Sequence, residues 1–266
     1  MKIIHAELKI DDCSAELWLN GIPLQRLTPN GSHNISIPAH LYLLDGQNTL
    51  EIVVNPGPIP SRAMEAIASS IPKGFALARL AAYEVGDFTG DPKAQILLEV
   101  SWDSTTAQPG TYPRTVKTNG NLGKIFGHWA WETSATLTLD TVTINSATAV
   151  LEAIRASLEV GDPAVLLQLA ENKFANAARA FPARPFNILV DQFRRMVAMD
   201  SAEKGWAFPK LDHDQFDFRL VADGRMLECI NRDWRPTLRT VALSDGYPKY
   251  YQMLLCNIKG RWQVAV

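Results

Sequence analysis

The sequence predicts a protein in two parts: an all-β N-terminal sandwich over residues 1–145, and an α+β C-terminal domain over residues 146–266 in which three helices pack on a curved antiparallel sheet. Three observations carry that expectation. Apolar residues recur at every second position through much of the first half, the spacing of a strand with one buried face. Near Asn145-Ser146 the spacing changes to that of an amphipathic helix. From Trp206 onward the two-residue period returns. With 266 residues, 47% of them hydrophobic and 20% charged, the chain can bury two modest cores.

In the first half, Ala15, Leu17 and Leu19 fall on one side of a strand and Glu16 and Trp18 on the other. Asn20-Gly21 then tolerates the positive φ angles of a type I′ turn, so residues 14–19 and 22–27 read as a hairpin. Further strands are expected near 33–38, 49–54, 77–85 and 96–102, and a short helix near Arg62–Ser70. The polar stretch 104–124 reads as a long loop or a weak hairpin. His128–Leu139 reads as a strand with Trp129 and Trp131 on one face.

In the second half, Val150, Leu151, Ile154 and Leu158 mark a first helix that Gly161 ends. Asp162-Pro163 suits the N-cap and first turn of a second helix, whose apolar stripe runs from Leu166 to Phe181. A third follows Pro185, with Phe186, Leu189, Phe193 and Val197 inward. Phe216, Phe218 and Leu220 alternate with Asp217 and Arg219; Asp223-Gly224 turns into Met226–Ile230, and residues 250–258 and 261–266 close the sheet.

Two resemblances sharpen this outline. The block Ala15–Gly21, followed by Ile37-Pro38-Ala39-His40-Leu41 and Leu44–Ile52, resembles the galactose-binding-like jelly-roll module often attached to glycoside hydrolases. The helix-then-strand order of residues 147–266 and the ending Ile258–Val264 resemble the NTF2-like (cystatin-like) cone. The second resemblance implies a range of roles, from isomerases and dehydratases with an Asp and a His in the cone to silent binding domains and bacterial immunity proteins.

Composition narrows the classes of partner. The formal charge of −2 divides as −4 in residues 1–145 and +2 in the remainder, with no basic tract, so nucleic acid is not an expected partner. A charge interrupts the N-terminus before any apolar run forms, and no stretch of about 18 apolar residues follows, so neither export nor membrane insertion is expected. Cys13, Cys229 and Cys256 are scattered and lack metal-ligand spacing; reduced thiols in a cytoplasm, with no cofactor and no metal, are the simplest reading.

Motifs that carry chemistry are near misses. Ser70-Ile71-Pro72-Lys73 matches Ser-x-x-Lys but sets a proline inside the helical turn the motif needs. Gly120-Asn121-Leu122-Gly123-Lys124-Ile125 lacks both the spacing of a phosphate loop and the hydroxyl residue after its lysine. Asp212-His213-Asp214, with Asp217 nearby, could tune a general base, with Asp212 and His213 as base and acid, yet on a strand His213 would point away from its neighbours. The remaining cluster, Arg232, Trp234, Arg235 and Arg239 around Asp233, combines the residue types most enriched at interface hot spots. The leading expectation is therefore a non-enzymatic protein-binding, adaptor or immunity-type protein of a bacterial cytoplasm, with a second copy of the chain as a further candidate partner. A small-molecule isomerase, dehydratase or hydrolase using the cone is the alternative. A carbohydrate-binding module using His128, Trp129 and Trp131 is the third.

Overall fold

The structure, a computed structural model, describes residues 2–29, 33–66, 73–107 and 110–266. Among these the fold is mixed, with antiparallel strands in sheets and four α-helices. The chain divides into two compact units, Met1–His128 and Trp129–Val266.

Unit 1 contains β1 (Ile3–Asp11), β2 (Ala15–Leu19), β3 (Ile22–Leu27), β4 (Asn34–Pro38), β5 (Gln47–Val54), β6 (Phe75–Tyr83), β7 (Gln95–Asp103) and β8 (Arg114–Asn121). They form two antiparallel sheets, ordered β4-β1-β6-β7 and β3-β2-β5-β8, and β5 packs against β6 and β7. Strand β1 was not anticipated, although Ala6, Leu8 and Ile10 alternate with exposed or half-buried neighbours and are at most 1% exposed.

Strand β8 corrects the long loop or weak hairpin expected over 104–124. It pairs with β5 from Gln47 opposite Asn121 to Val54 opposite Arg114. Its side chains alternate between half-buried and exposed because it is an edge strand, so a polar sequence suffices once the backbone is bonded on one side. A Cβ at Gly120 would press on the end of the Leu98 side chain of β7, which would have to move aside.

The turns of unit 1 are held by the polar side chains of Asn20, Asp45 and Asn48. Asn20 and Gly21 adopt φ of 53° and 71°, as a type I′ turn demands. The Asn20 side chain also accepts from Thr49 N–H and donates to Tyr42 O and Asn48 Oδ1. Asn48, fully buried, accepts from Leu44 N–H and donates to the carbonyls of Leu44 and Gly46. Asp45 Oδ1 accepts from three consecutive amides, those of Ile125, Phe126 and Gly127, at 2.8–3.1 Å. These bonds are the physical content of the Asn20-Gly21 turn and of the Gly46-Gln47-Asn48 segment. Beyond η-type turns at Pro60–Arg62, the helix expected to Ser70 runs into residues outside the described ones, as does Ser70-Ile71-Pro72.

Unit 2 contains α1 (Thr141–Glu159), α2 (Ala164–Leu169), α3 (Glu171–Ala180), α4 (Phe186–Ser201), β9 (Phe216–Val221), β10 (Met226–Asn231), β11 (Leu238–Arg239), β12 (Tyr250–Tyr251), β13 (Met253–Ile258) and β14 (Arg261–Val264). One antiparallel sheet runs β14-β13-β10-β9, and β11 pairs with β12. Helix α1 begins before the visible change of period, because Asp140 caps it by accepting from Thr143 N–H while its first turns are largely exposed and polar. The single second helix expected after Pro163 is two, broken at Ala170 (φ −98°, ψ 12°), and Pro163 stands at the N-cap with Asp162 accepting from Ala164 N–H.

The core joins Leu151, Ile154 and Leu158 of α1 to Phe216, Phe218, Leu227, Met253 and Leu255 of the sheet. Phe174 and Phe193 pack against it with ring centroids 5.7 Å apart, and Phe181 is half-buried at the end of α3. Residues 128–139 are not a strand. Ala130–Thr133 form a 3-10 turn closed by Glu132, which accepts from Trp129 N–H at 2.5 Å, and Ala135 N–H and Leu137 N–H bond Asn257 O and Gly224 O. Those bonds place the segment in unit 2.

Candidate functional site

The arginine-rich segment is a tight loop after β10, built on a buried ion pair. Arg219 of β9 and Glu228 of β10 face each other in register, and Arg219 Nε donates to the Glu228 carboxylate with side-chain exposures of 8% and 4%. The Arg219 guanidinium lies 5.4 Å from the ring centroid of Trp234, within cation–π range. Trp234 reaches that position at φ 65°, a left-handed conformation that costs a non-glycine residue about 1 kcal/mol.

Three backbone hydrogen bonds and one isolated β-bridge hold the conformation. Trp234 N–H donates to Asn231 O, Asn231 N–H to Arg235 O, Arg232 N–H to Gln215 O, and Ile230 bridges Pro236. The Asp233 carboxylate accepts from Arg235 N–H at 3.1 Å and from Arg239 Nη1 at 3.1 Å, with Arg235 Nε 4.0 Å away. Arg239 lies directly opposite Tyr250 across β11 and β12, so the two side chains share a face.

The structure thus separates the four expected interface residues by role. Trp234 is half-buried against Arg219, and Arg239 is 26% exposed and tied to Asp233. Arg232 and Arg235 project into solvent, Arg235 with 62% of its side chain exposed, and Tyr250, opposite Arg239, is 47% exposed. What the sequence could not reveal is the Arg219–Glu228 base, which depends on strand register. The arrangement presents two cations and an aromatic ring on a backbone fixed in advance, chemistry suited to carboxylates of another chain.

Asp212 and His213 lie in an exposed turn before β9, where Asp212 accepts from Asp214 N–H and the His213 ring sits 5.5 Å from that of Phe216. Neither faces an enclosed volume. Buried polar atoms of unit 2 without a hydrogen-bond partner include Thr148 Oγ1, Asn231 Oδ1 and Tyr251 Oη; none titrates near neutrality, since burial pushes the Tyr251 phenol up to about 12. An open groove of about 510 Å³ between α2 and α4 is lined by Pro163, Leu167, Glu171, Phe186, Val190 and Arg194 among others.

Trp129 and Trp131, 1% and 4% exposed, present no platform for a sugar ring, and Arg179 covers the Trp129 face at 4.3 Å. Gly123 (φ 73°) forms a turn in which Asn121 Oδ1 accepts its N–H. The His5 Nδ1 lies 2.9 Å from Ser36 Oγ, and its ring meets that of Tyr83 edge-on, whose hydroxyl donates to Glu7. The signal available in the sequence was the His5-x-Glu7 spacing, which puts both on one face of β1. All three cysteines are buried thiols, and no group of three or more His, Cys, Asp or Glu suited to a metal occurs among the described residues. Nor, among these residues, is any helix long and apolar enough to cross a membrane. No protein-family model matches the chain, and comparisons with curated proteins and with solved structures find no match.

Proposed function

We propose that the protein is a non-enzymatic binding protein of adaptor or immunity type, acting in the cytoplasm, that grips another protein through Arg232, Trp234, Arg235 and Arg239. The observation that carries this reading is the fixed loop itself: Asp233 and the Arg219–Trp234 stack hold its backbone while Arg232 and Arg235 remain exposed. Preorganised arginines lose less entropy on binding than those of a mobile loop. The same reading treats the two sheets of unit 1 as a jelly-roll-like sandwich, supported by the packing of β5 on β6 and β7, and the helices of unit 2 as NTF2-like, supported by the shared core of α1 with the sheet.

The test is affinity capture from native lysate with the wild-type chain and the Arg232→Ala/Arg235→Ala variant. Both positions are exposed, so the variant keeps its fold, whereas Trp234→Ala would also disturb Arg219. A partner retained by wild type and lost by the variant supports the reading. A partner list unchanged by the variant, or none at all, overturns it.

A further inference from the structure

We infer that α4 is a self-association surface on which a second copy of this chain lies antiparallel. Exposed large hydrophobic residues are common singly, but Phe186, Ile188, Met196 and Met199 stand 41%, 42%, 44% and 73% exposed within this one helix. The inward face of α4 is already used: Val190 and Val197 are buried and Phe193 meets Phe174.

At 100° per residue, Ile188, Gln192, Arg195 and Met199 form a stripe centred opposite Val190 and Val197. Their spacing of four, three and four is the same read in either direction. A copy related by a two-fold axis through the point between Phe193 and Arg194 therefore brings Ile188 level with Met199 of the second copy, and Gln192 level with its Arg195. On one flank of the stripe Asp191 comes within one residue of the height of the second copy's Arg195. On the other, Met196 comes within two residues of the height of its Leu189. Apolar meets apolar at both ends and acid meets base between them, so the face is complementary to itself. A parallel copy would instead set Arg195 against Arg195.

The helix is about 24 Å long, so a contact confined to it belongs to the small, weak class of interfaces and association in the micromolar range is expected. The test is sedimentation equilibrium on the full chain from about 1 to 200 μM, with circular dichroism confirming the fold of each variant. Wild type is expected to dimerise, and Ile188→Lys and Met199→Glu each to weaken the dimer about tenfold or more. The double variant Ile188→Lys/Met199→Glu is expected to recover most of that loss, because each end then pairs a lysine with a glutamate. Ile188→Lys/Met199→Lys is expected to be weakest. A monomeric wild type at 200 μM, single variants that associate as wild type does, or a double variant weaker than both singles would each overturn the inference; the last result would mean a parallel pairing.

Discussion

Two loops of this molecule are organised by an aspartate, and they use it to opposite ends. In unit 1, Asp45 turns its carboxylate inward onto three amides of residues 125–127, and the neighbouring Asn48 is sealed from solvent with its hydrogen-bonding groups engaged. In unit 2, Asp233 fixes its loop with one amide and one guanidinium, and Arg232 and Arg235 reach outward. Spending the polar groups on internal hydrogen bonds yields a rigid closure. Fixing the backbone while leaving charges in water yields a surface. Stability and recognition are therefore expected to separate by mutation.

The largest effect falls on the inward loop. Asn48→Ala orphans the part-buried Leu44 N–H and C=O and leaves a void at a fully buried position, so a loss of about 3 to 4 kcal/mol is expected from urea denaturation. A loss below about 1 kcal/mol would show that the amide network is incidental to closure. Next comes the base of the outward loop. Glu228→Gln leaves the Arg219 charge buried against a neutral partner and is expected to cost about 3 kcal/mol, while Arg219→Leu/Glu228→Leu, which removes both charges, should come within about 1 kcal/mol of wild type.

A pH titration probes the inward side differently. His40 is 1% exposed, its Nε2 accepts from Ile4 N–H, and burial holds its imidazole down to about 4. The folded state thus prefers the neutral ring, and the unfolded chain takes up the proton first. Its contribution is full above the unfolded value of about 6.5, declines as pH falls below it, and is gone below about 4, a total of at most about 3 kcal/mol. Asp45, whose carboxyl the amides of Ile125 and Phe126 hold low, acts with the same sign at more acid pH: its contribution is present above the ordinary carboxylate range and is lost as pH falls through its folded value. His40→Gln, which can still accept from Ile4, is expected to flatten the stability profile between pH 6.5 and 4. A slope unchanged by the substitution would assign that loss to other groups.

The contrast between the loops also explains which parts of the molecule the sequence revealed. Strands whose apolar residues alternate in the sequence, such as β2 and β9, announce themselves by that period, and Asn20-Gly21 by its turn chemistry. Strand β8 was hidden because an edge strand needs its backbone more than its side chains. The 3-10 turn at Ala130–Thr133 was hidden because Trp129 and Trp131 mimic strand spacing while Glu132 caps the chain locally. Of the candidate interface, the arginines and Trp234 were legible as types, but Arg219 and Glu228 lie in separate strands and meet only through register. The His5–Ser36 contact escaped notice for the same reason, since 31 residues separate its members.

The smallest expected effect on stability is also the most discriminating. Arg235 is 62% exposed and 4.0 Å from the Asp233 carboxylate, a distance at which an exposed pair contributes little. Arg235→Ala should therefore leave the denaturation midpoint within about 0.5 kcal/mol of wild type. Its backbone N–H still donates to Asp233, and Arg239 still holds that carboxylate, so the loop keeps its shape. If the outward loop is a recognition surface, partner capture should fall in a variant whose stability does not. A stability loss comparable to that of Glu228→Gln would instead make Arg235 part of the closure, and would erase the distinction between the two loops.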